Sequence, residues 1–227
     1  MRMPAVSLLS GGMDSAVVLA HAVRAGFDVH AISFDYGQRH KIELDLAKRL
    51  ADTLGAASHR RIVLDKAAFQ GSALTDDIDV PKHRSMDETI PVTYVPARNL
   101  VFLSLATAFA ESLGAADIFL GVNAVDYSGY PDCRKAFIDS FQQTANFATR
   151  VGVSSEEPAI RVHTPLLELS KAEIVFMGEE LGVDFSSTLS CYDPTVHDDS
   201  FRVCGACDAC VLRAAGFAEA GVEDVRS

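Results

Sequence analysis

The chain has 227 residues, of which 48% are hydrophobic and 22% are charged, a composition typical of a globular protein with one substantial core. Its formal net charge of -11 repels phosphodiester backbones, and no run of lysines and arginines compensates for it. No stretch has the roughly 18 uninterrupted apolar residues of a membrane span, and Gly11, Gly12 and Asp14 interrupt the first apolar segment where a signal peptide needs an unbroken apolar centre. We therefore expect a cytoplasmic protein that acts on small molecules, without nucleic-acid or membrane partners.

Short apolar stretches alternate with helical patterns along the chain. The pattern predicts strands at residues 5–9, 29–34, 61–64 and 117–122, and helices at residues 41–55 and 99–114. A further helix is predicted after Ser170, because Ser170 and Glu173 have the spacing of a capping box. This alternation predicts an α/β fold with a doubly wound, mainly parallel sheet. Residues 66–97 are polar and punctuated by prolines, so they are predicted to form a long loop and a candidate lid.

The sequence SGGMDS, residues 10–15, directly follows the first predicted strand and opens a helix. The N-terminus of a helix offers unpaired N–H groups and a partial positive charge, which favour a phosphate. The glycines let the backbone approach the phosphate closely, and Ser10 and Ser15 can donate hydroxyl hydrogen bonds. Asp14 has the wrong charge for phosphate unless it orients the loop or meets a divalent cation. The alternative is an ordinary turn capped by Asp14; a Walker loop is disfavoured because its lysine is missing.

Five cysteines are present, and three of them form C-x2-C-x2-C at the C-terminal end. Cys204, Cys207 and Cys210 make this motif, and Cys191 lies 13 residues before it. This spacing predicts a closed four-thiolate Zn2+ site with a structural role, in a reducing compartment. An iron–sulfur cluster held by three cysteines is the alternative. We divide the chain into residues 1–184, which bind nucleotide and substrate, and a zinc-binding segment, 185–227, which has little periodic sequence.

The SGGMDS loop resembles the PP-loop of the N-type ATP pyrophosphatases. Further motifs narrow the resemblance: FDYGQRH, YVPARNL, DYSGYPDCR, TPL with KAE, and SCY with CGACDACVLRAAGF. Together, from about residue 5 to residue 217, they resemble the 7-cyano-7-deazaguanine synthase family of queuosine biosynthesis. Two positions depart from the family pattern: Ala97 stands where Gly is frequent, and NAVDY stands where CETDF is frequent.

The resemblance implies an enzyme that converts 7-carboxy-7-deazaguanine to the nitrile with ammonia and two molecules of ATP. The implied intermediates are an acyl-adenylate, an amide and an adenylated amide that loses AMP. The resemblance also implies Mg2+ bound with ATP, beside the structural Zn2+. Each adenylation needs its phosphate charge neutralised.

Residues for ATP follow from the PP-loop and from neighbouring strand and helix ends. The predicted ATP contacts are Leu9, Ser10, Gly11, Gly12, Met13, Asp14, Ser15, Phe34, Asp35 and Asn99. Catalytic roles are predicted for Asp14, Arg98 and Lys171, because Arg98 opens a buried helix and an anion would relieve Lys171 at a helix N-terminus. Gln38, Arg39 and His40 are predicted near the phosphates or the substrate carboxylate. His40 as a plain helix-entry residue is the alternative.

The stretch VDYSGYPDCR suits a deazaguanine, which offers N–H donors on one edge and a flat face for an aromatic ring. Asp126 or Asp132 would accept from that edge, and Tyr127 or Tyr130 would stack on the face. Arg134 would pair with the 7-carboxylate. An exposed Gly-Pro turn is the alternative for the whole stretch.

Two other functional classes stay open at this point: a PP-loop tRNA sulfurtransferase, and a nucleotide-binding relative that has lost its chemistry or modifies a protein. The assembly state is also open, with a homodimer among the alternatives.

Overall fold

A five-stranded parallel sheet forms the centre of the fold. Its strands are β1 (Pro4–Leu8), β2 (Asp28–Asp35), β3 (Ser58–Val63), β4 (Asp117–Phe119) and β5 (Arg161–His163), in the order β3-β2-β1-β4-β5. The computed structural model describes residues 2–84, 89–123, 129–155, 159–197 and 200–226, with side chains omitted at positions 197 and 200. The strand order reverses at β1, which pairs with β2 on one side and β4 on the other. Ligands of open parallel sheets bind at such a reversal, beside the carboxyl ends of the strands.

Helices cover both faces of this sheet. They are α1 (Met13–Arg24), α2 (Ile42–Thr53), α3 (Arg98–Leu113), α4 (Lys135–Ala148), α5 (Arg150–Ser154), α6 (Lys171–Leu181) and α7 (Asp208–Ala220). Alternate strand residues point to opposite faces. Val6 and Ile32 therefore lie in one hydrophobic cluster with α3 and α4, and Ala5 and Val29 lie in another with α1, α2 and α6. The doubly wound prediction is confirmed.

The predicted elements correspond closely to those of the structure, with two kinds of exception. The four predicted strands are β1 to β4, the predicted helices are α2 and α3, and the capping box of Ser170 and Glu173 opens α6. The sequence patterns did not identify β5, α4 or α5. Residues 185–227 have little periodic sequence, yet they contain a hairpin of β6 (Thr195–His197) and β7 (Ser200–Arg202) followed by the helix α7.

Helix α7 attaches the C-terminal segment to the sheet. It packs on α6, where a Cβ at Gly216 would clash with the stem of Lys171. Arg213, which is 5% exposed, donates from Nε to Asp224 at 2.7 Å and from Nη1 to the Thr188 hydroxyl at 2.8 Å. These buried contacts hold the helix against residues 185–188.

The described part of the loop 66–97 packs against the rest of the chain. A 3-10 turn, Lys66–Ala68, opens it. Ser72 and Ala73 are fully buried, and the Ala73 N–H donates to the Val92 carbonyl at 2.9 Å. The His83 N–H donates to the Ala206 carbonyl at 2.9 Å. The loop therefore links the sheet to the cysteine segment, and whether it moves as a lid stays a prediction.

Candidate functional site

A cavity of about 270 Å³ lies where the strand order reverses. Its walls come from the carboxyl ends of β1 and β2, the N-termini of α1, α3 and α6, and residues 189–192. Most residues predicted for the site line it: Leu9, Ser10, Gly12, Met13, Asp14, Ser15, Phe34, Gln38, Arg39, His40, Arg98, Asn99, Tyr130 and Lys171. Gly11, Asp35, Asp132 and Arg134 do not belong to the lining. Asp126 and Tyr127 lie outside the described residues.

The loop between β1 and α1 presents a helix N-terminus to the cavity. The cap residue Gly12 has extended backbone and gives the first turn no side-chain hydrogen bond. The Ser15 hydroxyl donates to the Gly12 carbonyl at 3.0 Å and lies 3.1 Å from the Ser10 hydroxyl. The loop is thus held by its two serines, and the first turn of α1, Met13 to Ser15, lines the cavity. The free N–H groups of a helix N-terminus favour an anion.

Gly11 serves the packing of this loop. Its φ is +89°, which favours glycine, and a Cβ there would clash with the main-chain carbonyl of Glu43 in α2. Its own carbonyl accepts from the Leu189 N–H at 2.9 Å. Gly11 therefore lets the loop approach α2 and residues 189–192, whereas Gly12 is the glycine that borders the cavity.

Lys171 and Asp14 form an ion pair at the edge of the cavity. The Lys171 ammonium lies 3.1 and 3.0 Å from the two carboxylate oxygens of Asp14. Lys171 is 7% exposed, at the first position of α6, and its stem packs on Gly216. A buried ammonium next to a helix N-terminus is stabilised by this carboxylate. The pair brings together two of the three residues for which catalytic roles are predicted.

Two further cations, Arg98 and Arg39, line the same cavity although the chain is acidic overall. Burial alone would lower the pKa of Arg98, but the nearby hydroxyl of Tyr36, at 3.5 Å from Nη1, and the charge of Asp132 raise it. The guanidinium of Arg39 donates to the Ile78 carbonyl at 2.9 Å. Positive charge is therefore concentrated where the site would meet phosphates.

Glu43 is a cavity residue that the sequence analysis missed. It lies in the first turn of α2, and Gln38 Nε2 donates to its Oε1 at 2.9 Å. Burial raises the pKa of Glu43 to about 7, against the lowering effects of Gln38 and Arg98. In sequence it reads as an ordinary acidic residue at a helix start, so no local signal marks it.

Asp35 and Asp132 make structural contacts outside the cavity lining. Burial by itself would raise the pKa of Asp35, but hydrogen bonds from Arg61 and Lys41 lower it. Asp132 Oδ2 accepts from the Asn99 N–H at 2.9 Å. This carboxylate therefore pairs with one of the N–H groups that have no partner within the first turn of α3. The deazaguanine contact predicted for Asp132 or Asp126, and the ATP contact predicted for Asp35, stay predictions.

Arg134 is the N-cap residue of α4 and is exposed. Tyr130, by contrast, is buried with its hydroxyl 2.9 Å from that of Thr93. Phe34 stacks on Phe102 with ring centroids 4.1 Å apart. Aromatic surface for a planar ligand is therefore present at Phe34 and Tyr130, whereas Arg134 does not line the cavity.

The four predicted metal ligands come together. The sulfur atoms of Cys191, Cys204, Cys207 and Cys210 all lie within 4.8 Å of one another. Tetrahedral Zn–S bonds of about 2.3 Å would place sulfurs roughly 3.8 Å apart, so this donor set fits one zinc ion after a small contraction. Backbone N–H groups reach three of the sulfurs: Cys204 donates to Cys191 at 3.2 Å, Cys207 to Cys204 at 3.4 Å and Tyr192 to Cys207 at 3.4 Å.

The cysteine cluster adjoins the cavity. Cys191 belongs to both, and its neighbours Leu189, Ser190 and Tyr192 line the cavity. Since the Leu189 N–H also bonds to the Gly11 carbonyl, the segment that carries Cys191 supports the SGGMDS loop directly. The fifth cysteine, Cys133, is separate; burial and Asp132 raise the pKa of its thiol to about 12.

Comparison with known proteins decides the family. The family model described as "Queuosine biosynthesis protein QueC" matches residues 4–221. The chain belongs to the QueC family. Among curated relatives, a QueC-family chain of Magnetococcus marinus named 7-cyano-7-deazaguanine synthase is 60% identical over 222 residues, covering 98% of this chain and 95% of the relative. One of the same name from Rhodopirellula baltica is 59% identical over 224 residues, covering 97% of this chain and 89% of the relative.

Solved structures support the fold assignment of this QueC-family chain. NMN synthetase from Francisella tularensis superimposes with a TM-score of 0.51 at 16% identity, covering 98% of this chain and 79% of the synthetase. At this identity the likeness concerns the fold alone. Within the part of the chain that the structure describes, no helix is long and apolar enough to cross a membrane.

Proposed function

We propose that this chain converts 7-carboxy-7-deazaguanine, ammonia and two molecules of ATP to 7-cyano-7-deazaguanine, AMP and pyrophosphate. The observation that carries the proposal is the membership of the QueC family over residues 4–221, together with relatives named 7-cyano-7-deazaguanine synthase. The cavity beside the PP-loop supports it with cations and helix N–H groups suited to ATP.

ATP binds with its phosphates at the N-terminus of α1. The N–H groups of the first turn, with Ser10 and Ser15, meet phosphate oxygens. Arg98 and Lys171 neutralise the charge that develops at the α-phosphate during adenylation. Mg2+ bound with ATP would add charge neutralisation, and Asp14 is the carboxylate of the loop able to hold it.

The substrate acid lies beside the nucleotide, with aromatic surface from Tyr130. Asp126 and Tyr127 remain our candidates for the base edge and the ring face, with Arg134 for the 7-carboxylate. In this proposal Gln38 and Asp132 position other residues and do not contact the substrate, because their polar groups are hydrogen-bonded within the protein.

The reaction proceeds in two rounds of the same chemistry. A carboxylate oxygen attacks the α-phosphorus, and pyrophosphate leaves. Ammonia attacks the acyl carbon, a C–N bond forms, and the C–O bond to AMP breaks to give the amide. The amide oxygen attacks a second ATP. Loss of the remaining N–H protons and of AMP then forms the nitrile. In each round, one carboxyl oxygen of the substrate leaves as part of AMP.

We assign the four cysteines to a structural zinc ion. A closed set of four thiolates leaves no coordination position for substrate. Bound zinc would hold residues 189–192, and through them the phosphate loop. The fourth cysteine, Cys191, and the acidic net charge of -11 both weigh against the sulfurtransferase alternative.

The test is mass spectrometry of the products. The protein with 7-carboxy-7-deazaguanine, ATP, Mg2+ and ammonium should yield the nitrile with AMP and pyrophosphate. Without ammonium no nitrile should appear, and without the acid no AMP should form. AMP release that does not depend on the deazaguanine acid would overturn the proposal, and so would an inert protein that contains its metal.

A further inference from the structure

Glu43 occupies a fixed position on the cavity wall. It lies in the first turn of α2, and its main chain packs on the phosphate loop at Gly11. Gln38 Nε2 donates to Glu43 Oε1 at 2.9 Å and to the Phe34 carbonyl at 3.1 Å. Gln38 Oε1 accepts from the Tyr36 N–H at 2.9 Å. Gln38 is thus fully bonded by the loop after β2, and it orients the carboxyl of Glu43.

The groups that face this carboxyl come from three directions. Arg98, at the start of α3, places a positive charge across the cavity, and Asp35 places a negative one at the end of β2. From β3, Arg61 pairs with Asp35 and offsets its charge. Burial is the largest effect and brings the pKa of Glu43 to about 7. The carboxyl therefore exchanges a proton in the neutral pH range.

Other ionisable groups of the cavity are less suited to accept a proton. His40 lines the cavity too, but burial lowers the pKa of its imidazole below the ordinary value, so it is a weaker base than Glu43. The carboxylate of Asp14 is occupied by Lys171. Burial raises the pKa values of the Tyr36 and Tyr130 hydroxyls. These hydroxyls remain protonated at neutral pH, and the Cys133 thiol does too.

We infer that Glu43 is the general base that removes protons from the reacting nitrogen. The inference rests on the proposed function and names a residue for its nitrogen steps. In the amide round, the lone pair of ammonia forms the C–N bond, AMP leaves with the C–O electrons, and one nitrogen proton passes to Glu43. In the nitrile round, the nitrogen of the adenylated amide carries two protons. One is lost to water, Glu43 takes the other, and the freed pair forms the third C–N bond as AMP leaves.

The two adenylations differ from these steps, because a carboxylate or amide oxygen attacks phosphorus without giving a proton to a base beforehand. Loss of the Glu43 carboxylate should therefore separate the steps. Adenylation of the acid should continue, and the nitrogen steps should slow by the about 100- to 10,000-fold that general bases contribute.

The variant is Glu43→Gln, which keeps the shape of the side chain, and the control is Glu179→Gln on the exposed face of α6. Acid-dependent exchange of labelled pyrophosphate into ATP measures the first adenylation. Conversion of the separately supplied amide, 7-amido-7-deazaguanine, to the nitrile measures the second round and involves no ammonium. Amide-dependent exchange of labelled pyrophosphate into ATP separates the adenylation in that round from the final loss of AMP. The rate of nitrile formation in the parent protein should rise with pH through about 7, since the base must be ionised.

We expect Glu43→Gln to keep pyrophosphate exchange within a few-fold of the parent, while nitrile formation falls at least about 100-fold and loses the rise near neutral pH. Glu179→Gln should match the parent in both assays. Nitrile formation by Glu43→Gln at the parental rate would overturn the inference, and so would an equal loss of exchange and nitrile formation. Absence of acid-dependent exchange in the parent itself would instead contradict the proposed function.

Discussion

Replacement of Ala97 by glycine should stabilise the protein. Ala97 precedes α3 with φ 53° and ψ 23°, in the left-handed region, and it caps the helix without a side-chain hydrogen bond. An L-residue with a Cβ pays about 1–2 kcal/mol in this conformation. Glycine removes that cost but adds about 0.4–1 kcal/mol of unfolded-state entropy. The net gain in the free energy of unfolding is therefore about 0.5–1 kcal/mol.

For a chain of this length, such a gain raises Tm by about 1–4 °C. The assay is thermal and denaturant unfolding of Ala97→Gly, beside Ala108→Gly as the matched control. Ala108 is exposed within α3, where glycine costs about 1 kcal/mol. The two substitutions should thus have opposite signs. If Ala97→Gly lowers the free energy of unfolding as much as Ala108→Gly does, the left-handed conformation of Ala97 does not reduce stability, and the reasoning fails.

Three other substitutions test the site. Gly11→Val should lower stability as well as ATP affinity, because a Cβ at this position would clash with the main chain of α2. A stably folded variant with normal ATP affinity by calorimetry would refute the packing role. Asp132→Ala should lower the free energy of unfolding by about 0.5–2 kcal/mol, as loss of a helix cap does, with ATP affinity kept. Loss of acid affinity at unchanged stability would instead favour the substrate contact. Cys207→Ala should lower zinc content, expose residues 185–217 to proteolysis and weaken ATP binding. The control Cys133→Ala should keep its zinc. If zinc-free Cys207→Ala kept a protease-resistant tail but had no turnover, the metal would instead have a catalytic role.

The parts of the fold that could be predicted from the sequence are those marked by strong local patterns of residues. Apolar runs marked β1 to β4, helical spacing marked α2, and the Ser170–Glu173 box marked α6. Helix α7 was missed because it is rich in small residues, and its packing depends on Gly216 against Lys171, a contact between distant segments.

The four-cysteine cluster and the place of the SGGMDS loop between β1 and α1 could be predicted because their residues lie close together in sequence. The contacts of Asp132 and Glu43 could not. Asp132 accepts from the N–H of Asn99, 33 residues earlier, in the first turn of α3. Glu43 lies at the cavity on α2, which packs on Gly11. Asp35 looked like a ligand residue at a strand end, but Arg61, 26 residues away, pairs with it.

The fate of the substrate oxygens tests the central claim most directly. If ATP activates first the carboxyl and then the amide, 7-carboxy-7-deazaguanine labelled with 18O at both carboxyl oxygens should transfer one labelled oxygen to each of two AMP molecules for every nitrile formed. Mass spectrometry of the AMP measures this. Unlabelled AMP, label released into water, or ADP and phosphate in place of AMP and pyrophosphate would contradict the account.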